Sequence, residues 1–372
     1  MMKITRVVFW DPCISPHKAD FIQALARLNK NIEVILCAHE DIPGDRKKMG
    51  WSLNSSAEYL QYIAPSENVI KALCQTRPEQ TLHMFSGIRW VPTILVAIKA
   101  VRRSGAYFSI MMEPRVTEGF KGLMRIVQSR ITENWFRKNA SFILGIGRNG
   151  PAWFRLSGYD ENLIHPFAYF INDNSTSALI RNNKEAINIA YIGRLVEMKG
   201  VADLIDAVSL LDFKYKLKII GNGESKVKFY ERASNNPLVQ FLGVIPIEKI
   251  SDFLKNIDIL ILPSRSMDDG WGVVVTEALL SGCVAIASEC VGAAIVLEGN
   301  DINGNIVPAY APEKIAEKIC SQIQSNNLSL DCRIKRRNWA LAHLTASAGA
   351  EYFMKIMRHH FDNGPRPDPF YQ

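Results

Sequence analysis

The sequence predicts an α/β protein of two doubly wound, Rossmann-like domains facing a cleft. Two observations carry this. Short apolar runs alternate with amphipathic segments, the mark of a parallel sheet flanked by helices. The alternation also stops once, in a polar stretch rich in Asn and Ser, and then starts again.

In the first half, ITRVVFW (4–10) reads as a strand and residues 17–28 as a helix. IEVILCA (32–38) and LHMF (82–85) read as strands, and residues 91–102 as a helix. YFSIMM (107–112) follows as a strand, then one long helix near 121–138, then the strand SFILGI (141–146). Residues 172–187, NDNSTSALIRNNKEAI, have the composition of a linker. Beyond them INIAYIG (187–193), KLKIIG (216–221), VQFLG (239–243), IDILILP (257–263) and CVAIAS (283–288) read as strands with helices between. The expected units are a first domain over 1–172, a linker over 173–186 and a second domain over 187–347. An amphipathic helix over 348–361 follows and is expected to pack back on the first domain. The tail DNGPRPDPFYQ is expected to be loosely ordered.

At 372 residues the chain is long enough for two ordinary cores. Residues 90–98, the longest uncharged apolar stretch near the start, are too few to span a bilayer and include Pro92. The opening MMKITRVVFWDP runs into a strand without the apolar segment of a secretory signal, so a cytoplasmic location is expected. Seven cysteines form no C-x-x-C pair, which argues against zinc and a disulfide framework. The formal charge of +7 is uneven: residues 1–180 carry 22 Lys and Arg against 15 Asp and Glu. The N-terminal half therefore suits an anionic partner. No nucleic-acid-reading module is recognisable.

Three segments carry candidate chemistry. PSRSMDDGWGVVVTEALLSG (263–282) takes a strand through Gly270 and Gly272 into a helix starting near Val273. Backbone N–H groups at such a helix start can hold a phosphate. Asp269 lies in the loop and Glu277 about one turn into the helix, placed to accept hydrogen bonds from sugar hydroxyls. The residues alone are equally compatible with a βα turn carrying two solvated acids. GRLVEMKG (193–200) sets Arg194 and Lys199 across a second βα turn, where two cations can clamp a diphosphate. A surface arginine and a helix-start lysine are the plain alternative. GNGES (221–225) offers a close backbone approach through Gly221 and Gly223, or simply a turn.

Taken in order, GRLVEMKG, IIGNGE (219–224), FLG (241–243) and PSRSMDDGWGVVVTEALLSG resemble the nucleotide-sugar domain of the family 4 retaining glycosyltransferases, which have the GT-B fold. The likeness covers roughly residues 187–320. That family carries an acid, seven intervening residues and a glutamate, with Gly-aromatic-Gly after the first acid. Asp269, Gly270, Trp271, Gly272 and Glu277 fit this spacing. The resemblance implies that Arg194 and Lys199 hold the donor diphosphate, Asp269 the sugar hydroxyls and Glu277 the ribose. It also implies that backbone at Gly272 and Val273 meets phosphate or sugar, and that Gly243 and Val244 border the base. A nucleoside-diphosphate sugar is then the co-substrate, with no other cofactor and no metal. The first acid is usually Glu, and Asp269 is shorter by one methylene.

The N-terminal half matches the family less well. Its first loop, DPCISPHKAD (11–20), has no glycine, and His17 stands at a helix entrance where it is either a cleft residue or a cap. Glu113, before Pro114, follows a strand where many relatives carry histidine, and is the candidate acid on the acceptor side. The helix near 121–138 mixes Leu123, Met124, Ile126, Val127, Ile131, Trp135 and Phe136 with Lys121, Arg125, Arg130, Arg137 and Lys138. It suits either an anionic membrane surface or packing on the sheet. The combined expectation is a retaining glycosyltransferase acting on a glycan or lipid-linked glycan acceptor, as in bacterial surface-polysaccharide assembly. The alternatives are a GT-B-fold epimerase or sugar-phosphate synthase, and a non-catalytic nucleotide-binding scaffold.

Overall fold

A computed structural model describes residues 3–48, 51, 57–173, 186–267 and 270–372. Two parallel sheets form, as the alternation requires, and the fold is α/β of the expected two-domain kind. The first sheet holds β1 (Arg6–Cys13), β2 (Glu33–Glu40), β3 (Leu60–Ile63), β4 (Thr81–Phe85), β5 (Tyr107–Met112), β6 (Ile143–Ile146) and β7 (Ile164–Phe167). Its order is β3-β2-β1-β4-β5-β6-β7. The second holds β8 (Ile187–Ile192), β9 (Tyr215–Ile220), β10 (Val239–Gly243), β11 (Ile259–Leu262), β12 (Val284–Ser288) and β13 (Gly304–Val307). Its order is β10-β9-β8-β11-β12-β13. Central strands such as β4, β11 and β12 are buried throughout, because helices cover both faces of a parallel sheet.

The order in which strands are added reverses once in each parallel sheet, between β1 and β4 in the first and between β8 and β11 in the second. Crevices at the carboxyl ends of strands beside such a reversal are where doubly wound folds bind ligands. The chain therefore presents two of them.

The helices follow local signals. α1 (Pro16–Leu28) and α4 (Pro92–Ser104) begin with proline at the first turn, where the missing N–H costs nothing. α4 ends at Gly105, whose φ of 71° allows its N–H to reach the Val101 carbonyl. β3, β7 and β13, together with α2 (Gly44–Lys48) and α3 (Glu67–Gln75), were not anticipated. These strands are four residues long, too short for a periodic signal.

Two expectations are overturned. The single helix near 121–138 is two helices, α5 (Gly119–Thr132) and α6 (Asn134–Asn139), broken at Glu133. That carboxylate is buried against Arg89 and accepts from the Tyr159 hydroxyl at 2.9 Å. The tail is not loose either. After the short helix α7 (Gly150–Leu156), Ile164 and Asn162 offer carbonyls to the Arg366 guanidinium. Phe370 is buried among Phe170, Tyr352 and Trp271.

In the second half, α8 (Val201–Ser209), α9 (Lys226–Ala233), α10 (Ile247–Leu254) and α11 (Val273–Leu280) precede α12 (Pro312–Gln324) and α13 (Leu330–His343). Arg336 on α13 is fully buried and donates to the carbonyls of Ile302, Gly282 and Asn327. Its guanidinium thereby satisfies three loop ends at once. The last helix, α14 (Ala346–Phe361), packs on the first domain, with Phe353 among Phe9, Phe21, Phe142 and Phe167. The linker expected over 173–186 falls outside the described residues except at its two ends.

Candidate active site

The loops leaving β8 and β11 build one wall of a cleft of about 450 Å³, and the first domain supplies the other. The first loop runs from Gly193 through a 3-10 turn at Glu197–Lys199 into α8. Its backbone is pinned to the next loop: Gly193 N–H donates to Ile220 O at 3.0 Å and Leu195 N–H to Asn222 O at 2.9 Å. Tyr191 donates its hydroxyl to Arg194 O at 2.7 Å. Glycine is required where these loops touch. A Cβ at Gly221, where φ is 134°, would stand 1.8 Å from Gly193 O, and one at Gly223 2.4 Å from Leu195 O. The close approach offered by the G-x-G turn is thus made to the neighbouring loop of the protein. Gly221 also borders the cleft, whereas Gly223 does not line it.

Arg194 is exposed at the cleft wall and Lys199 is buried beside it. Burial, and then the Arg194 charge, hold the Lys199 ammonium down to about 7, while Glu113 acts in the opposite sense. An incoming polyanion would favour its charged form.

On the same wall, beside the β8 loop, Gly272 caps α11 with a φ of 79°. The first N–H groups of that helix have no acceptor within it, and Gly272, Val273 and Val274 line the cleft. Glu277 lies one turn further, half-buried in the same wall, and burial pushes its carboxyl up to about 7. Trp271 contributes backbone rather than ring. Its side chain is 1% exposed, its indole N–H donates to Thr276 Oγ1 at 3.0 Å, and the ring lies beside Phe370. Asp269 lies outside the described residues. At the far end Val244 lines the cleft with Ile245, Ile247 and Ile250, an apolar slot of the kind a planar base fills. Gly243 does not line it; its carbonyl accepts from Gly221 N–H at 2.8 Å.

The first domain brings His17 and Glu113 to the opposite wall. Glu113 accepts from Trp271 N–H at 3.3 Å, and Gly270 is pressed so close that a Cβ there would stand 2.4 Å from its Oε1. The carboxylate therefore ties the end of β5 to the loop before α11. Burial raises its pKa, opposed first by hydrogen bonds from Tyr169 and from the Trp271 backbone. His17, at the start of α1, meets the Trp51 ring edge-on at 4.9 Å, and burial, then Arg46, hold its imidazole down to about 4. It is neutral at pH 7. Arg46, Trp51 and Tyr169 were missed from sequence. Arg46 and Trp51 sit in a segment without strand or helix periodicity, and Tyr169 follows the short β7.

Residues 174–339 match the family model described as glycosyl transferases group 1. The second half of the chain carries a group 1 glycosyltransferase domain. An uncharacterised glycosyltransferase of Methanocaldococcus jannaschii is 30% identical over 172 residues, covering 45% of this chain and 47% of the relative. The capsular polysaccharide biosynthesis glycosyltransferase CapM of Staphylococcus aureus is 28% identical over 205 residues, covering 53% of this chain and 50% of CapM. The chain thus spans about half the length of the curated relatives it matches. Among solved structures, HepE of Anabaena in complex with UDP and glucose superposes with a TM-score of 0.69 over 96% of this chain and 99% of HepE, at 14% identity. At that identity the likeness speaks for the fold, which is GT-B. The group 1 domain contains every cleft residue named above on the β8 and β11 loops, and the remaining wall belongs to the less recognisable half.

Proposed function

We propose that the protein is a nucleotide-sugar-dependent glycosyltransferase of the retaining, family 4 type that acts in polysaccharide assembly. One observation carries the reading. The Arg194 and Lys199 cations on one βα loop face the start of α11 and Glu277 in a cleft whose other wall is a separate domain. The group 1 domain supports it, as do the polysaccharide-related relative and the structural neighbour's UDP.

In this reading Arg194, Lys199 and the first N–H groups of α11 hold the donor diphosphate, and Glu277 accepts from the ribose hydroxyls. Asp269 bonds the sugar, and Val244 borders the base. As the anomeric C–O bond to phosphate breaks, the two cations neutralise the growing charge on the diphosphate, the task a metal performs elsewhere. The acceptor hydroxyl attacks the same face, and its proton passes to the departing phosphate. No protein nucleophile or metal is required. The acceptor, a glycan or lipid-linked glycan, lies along the first domain near His17 and Glu113, on the cytoplasmic side of a membrane.

Thermal shift against uridine, guanosine and adenosine diphosphate sugars selects the donor, since a bound ligand raises apparent stability by mass action. Transfer with that donor, retention of the anomeric configuration by NMR, and full activity in chelator are the expected results. Tight nucleotide binding without transfer or hydrolysis would overturn the reading. Activity lost to chelator and restored by a divalent ion would overturn metal independence.

A further inference from the structure

α5 is an amphipathic helix turned inside out. Phe120, Leu123, Met124, Val127 and Ile131 are spaced i, i+3, i+4, i+7 and i+11, which places them on one stripe of a helix. That stripe faces solvent: the five side chains are 75%, 56%, 53%, 43% and 73% exposed. The opposite face is the one that packs. Ser129 is buried, and a Cβ added to Gly122 would stand 2.0 Å from Thr117 O. A helix that buries glycine and serine while exposing five large apolar groups gains nothing from that stripe in isolation. At about 0.8 kcal/mol per methylene such a stripe contributes only when something covers it.

The flanks indicate what covers it. Lys121 lies along one edge and Arg130 along the other, while Arg125 stands behind Lys121 and donates to Val116 O at 3.2 Å. Glu118, at the cap position, and Glu133, buried against Arg89, are the nearest acids along the chain at either end. Residues 101–150 hold nine basic against three acidic side chains. Two copies meeting through this stripe would bring like-charged flanks together. No helix among the described residues is long and apolar enough to cross a membrane. We propose that α5 lies flat on an anionic lipid surface, its apolar stripe among the acyl chains and Lys121 and Arg130 at the headgroups. Trp90, 83% exposed, is a further anchor. It adjoins Arg89, whose guanidinium bonds Thr132 and Glu133 at the end of α5. Docked this way, the carboxyl ends of β4 and β5, and with them the cleft, lie close to the lipid.

The surface is not the one expected from sequence. Trp135 stacks on Phe108 at 4.8 Å, and Arg137 donates to the carbonyls of Ser129 and Arg130. Both are packing residues of α6 rather than lipid contacts.

Co-sedimentation of the full chain with vesicles tests the proposal, and it needs neither donor nor acceptor, so it stands or fails apart from the transfer reaction. Binding to mixed phosphatidylcholine–phosphatidylglycerol vesicles is expected, at least about tenfold tighter than to phosphatidylcholine alone and fading as salt rises. The double variant Leu123→Glu, Val127→Glu should lose about a hundredfold, roughly tenfold for each apolar group withheld from lipid. Lys121→Glu should lose several-fold. All three positions are exposed, so an unchanged melting temperature will show the fold intact, and transfer to a short water-soluble acceptor should persist. Equal binding to neutral vesicles overturns the proposal. So does no binding to the mixed vesicles at low salt, or a solution dimer that the double variant abolishes.

Discussion

Two groups line the cleft with pKa values pushed towards each other, so on the proposed reading donor binding should be bell-shaped in pH. Lys199 falls from an ordinary 10.5 to about 7, and Glu277 rises from 4.5 to about 7. A diphosphate beside Lys199 favours the ammonium, so binding raises that pKa and takes up a proton above pH 7. Affinity then falls with rising pH, by up to about tenfold per unit over the alkaline limb. Hydroxyl donors on Glu277 favour the carboxylate, so binding lowers its pKa. Affinity then falls with falling pH below about 7, again by up to about tenfold per unit. The maximum lies near neutrality. Calorimetric titration with UDP from pH 5.5 to 8.5, in buffers of different ionisation enthalpy, measures both affinity and proton uptake. Lys199→Ala should remove the alkaline limb and Glu277→Gln should flatten the acid one. Ionisation of the terminal phosphate near pH 6 persists in both variants and cancels in the comparison. The neighbours give a second handle. Arg194 lowers the Lys199 pKa and Glu113 raises it. Arg194→Ala should therefore move the alkaline midpoint up in pH, and Glu113→Gln should move it down. A wild-type affinity independent of pH across this range, or an alkaline limb surviving in Lys199→Ala, refutes the reasoning.

Other consequences are simpler. Glu113→Ala leaves the Trp271 N–H without its acceptor and should weaken donor binding about tenfold, a cost within the roughly 1–3 kcal/mol of one unsatisfied buried group; an unchanged UDP affinity would show that the tie does not shape the loop. Gly221→Ala forces a Cβ against Gly193 O at a φ of 134° and should destabilise the second domain by about 3 kcal/mol or more, read as a lowered denaturant midpoint. Phe370→Ala opens a cavity among Phe170, Tyr352 and Trp271 and should cost about 3 kcal/mol in the same measurement, whereas a loose tail would give no change.

Much of this architecture could be read without coordinates, because a strand buried on both faces is a run of apolar residues and little else imitates it. YFSIMM and VQFLG were bounded to the residue. The second-domain loops were legible for a related reason. Glycines at 200, 221 and 272 occupy positive-φ positions where strands hand over to helices, and this constraint is written into the residue type itself. The first-domain wall had no such marker. Arg46 and Trp51 meet His17 by tertiary folding of a segment whose order of residues is not periodic. The tail was misjudged on composition: prolines and glycine suggested looseness, yet Phe370 needed only a pocket, and the pocket is made by α14, Phe170 and Trp271 together.

α5 shows most clearly where sequence reasoning stops. Periodicity identifies an apolar stripe but carries no sign, since the same spacing describes a stripe facing a core and one facing outward. The sign comes from what the opposite face can do. Gly122 and Ser129 are small, and a helix approaches its neighbours most closely along its smallest residues, so the loop at Thr117 and the Arg137 guanidinium settle against that side. Once the small face is spent on the protein, the large one has only solvent or a partner. An apolar stripe rimmed by Lys121 and Arg130 then specifies a partner that is apolar inside and anionic at its surface. The lipid bilayer has that layered chemistry, whereas a protein partner would have to reproduce it residue by residue. The charge excess of the first half, diffuse when read along the chain, thus gains a location. Part of it, Lys121, Arg125 and Arg130, sits on a helix whose apolar stripe is left uncovered.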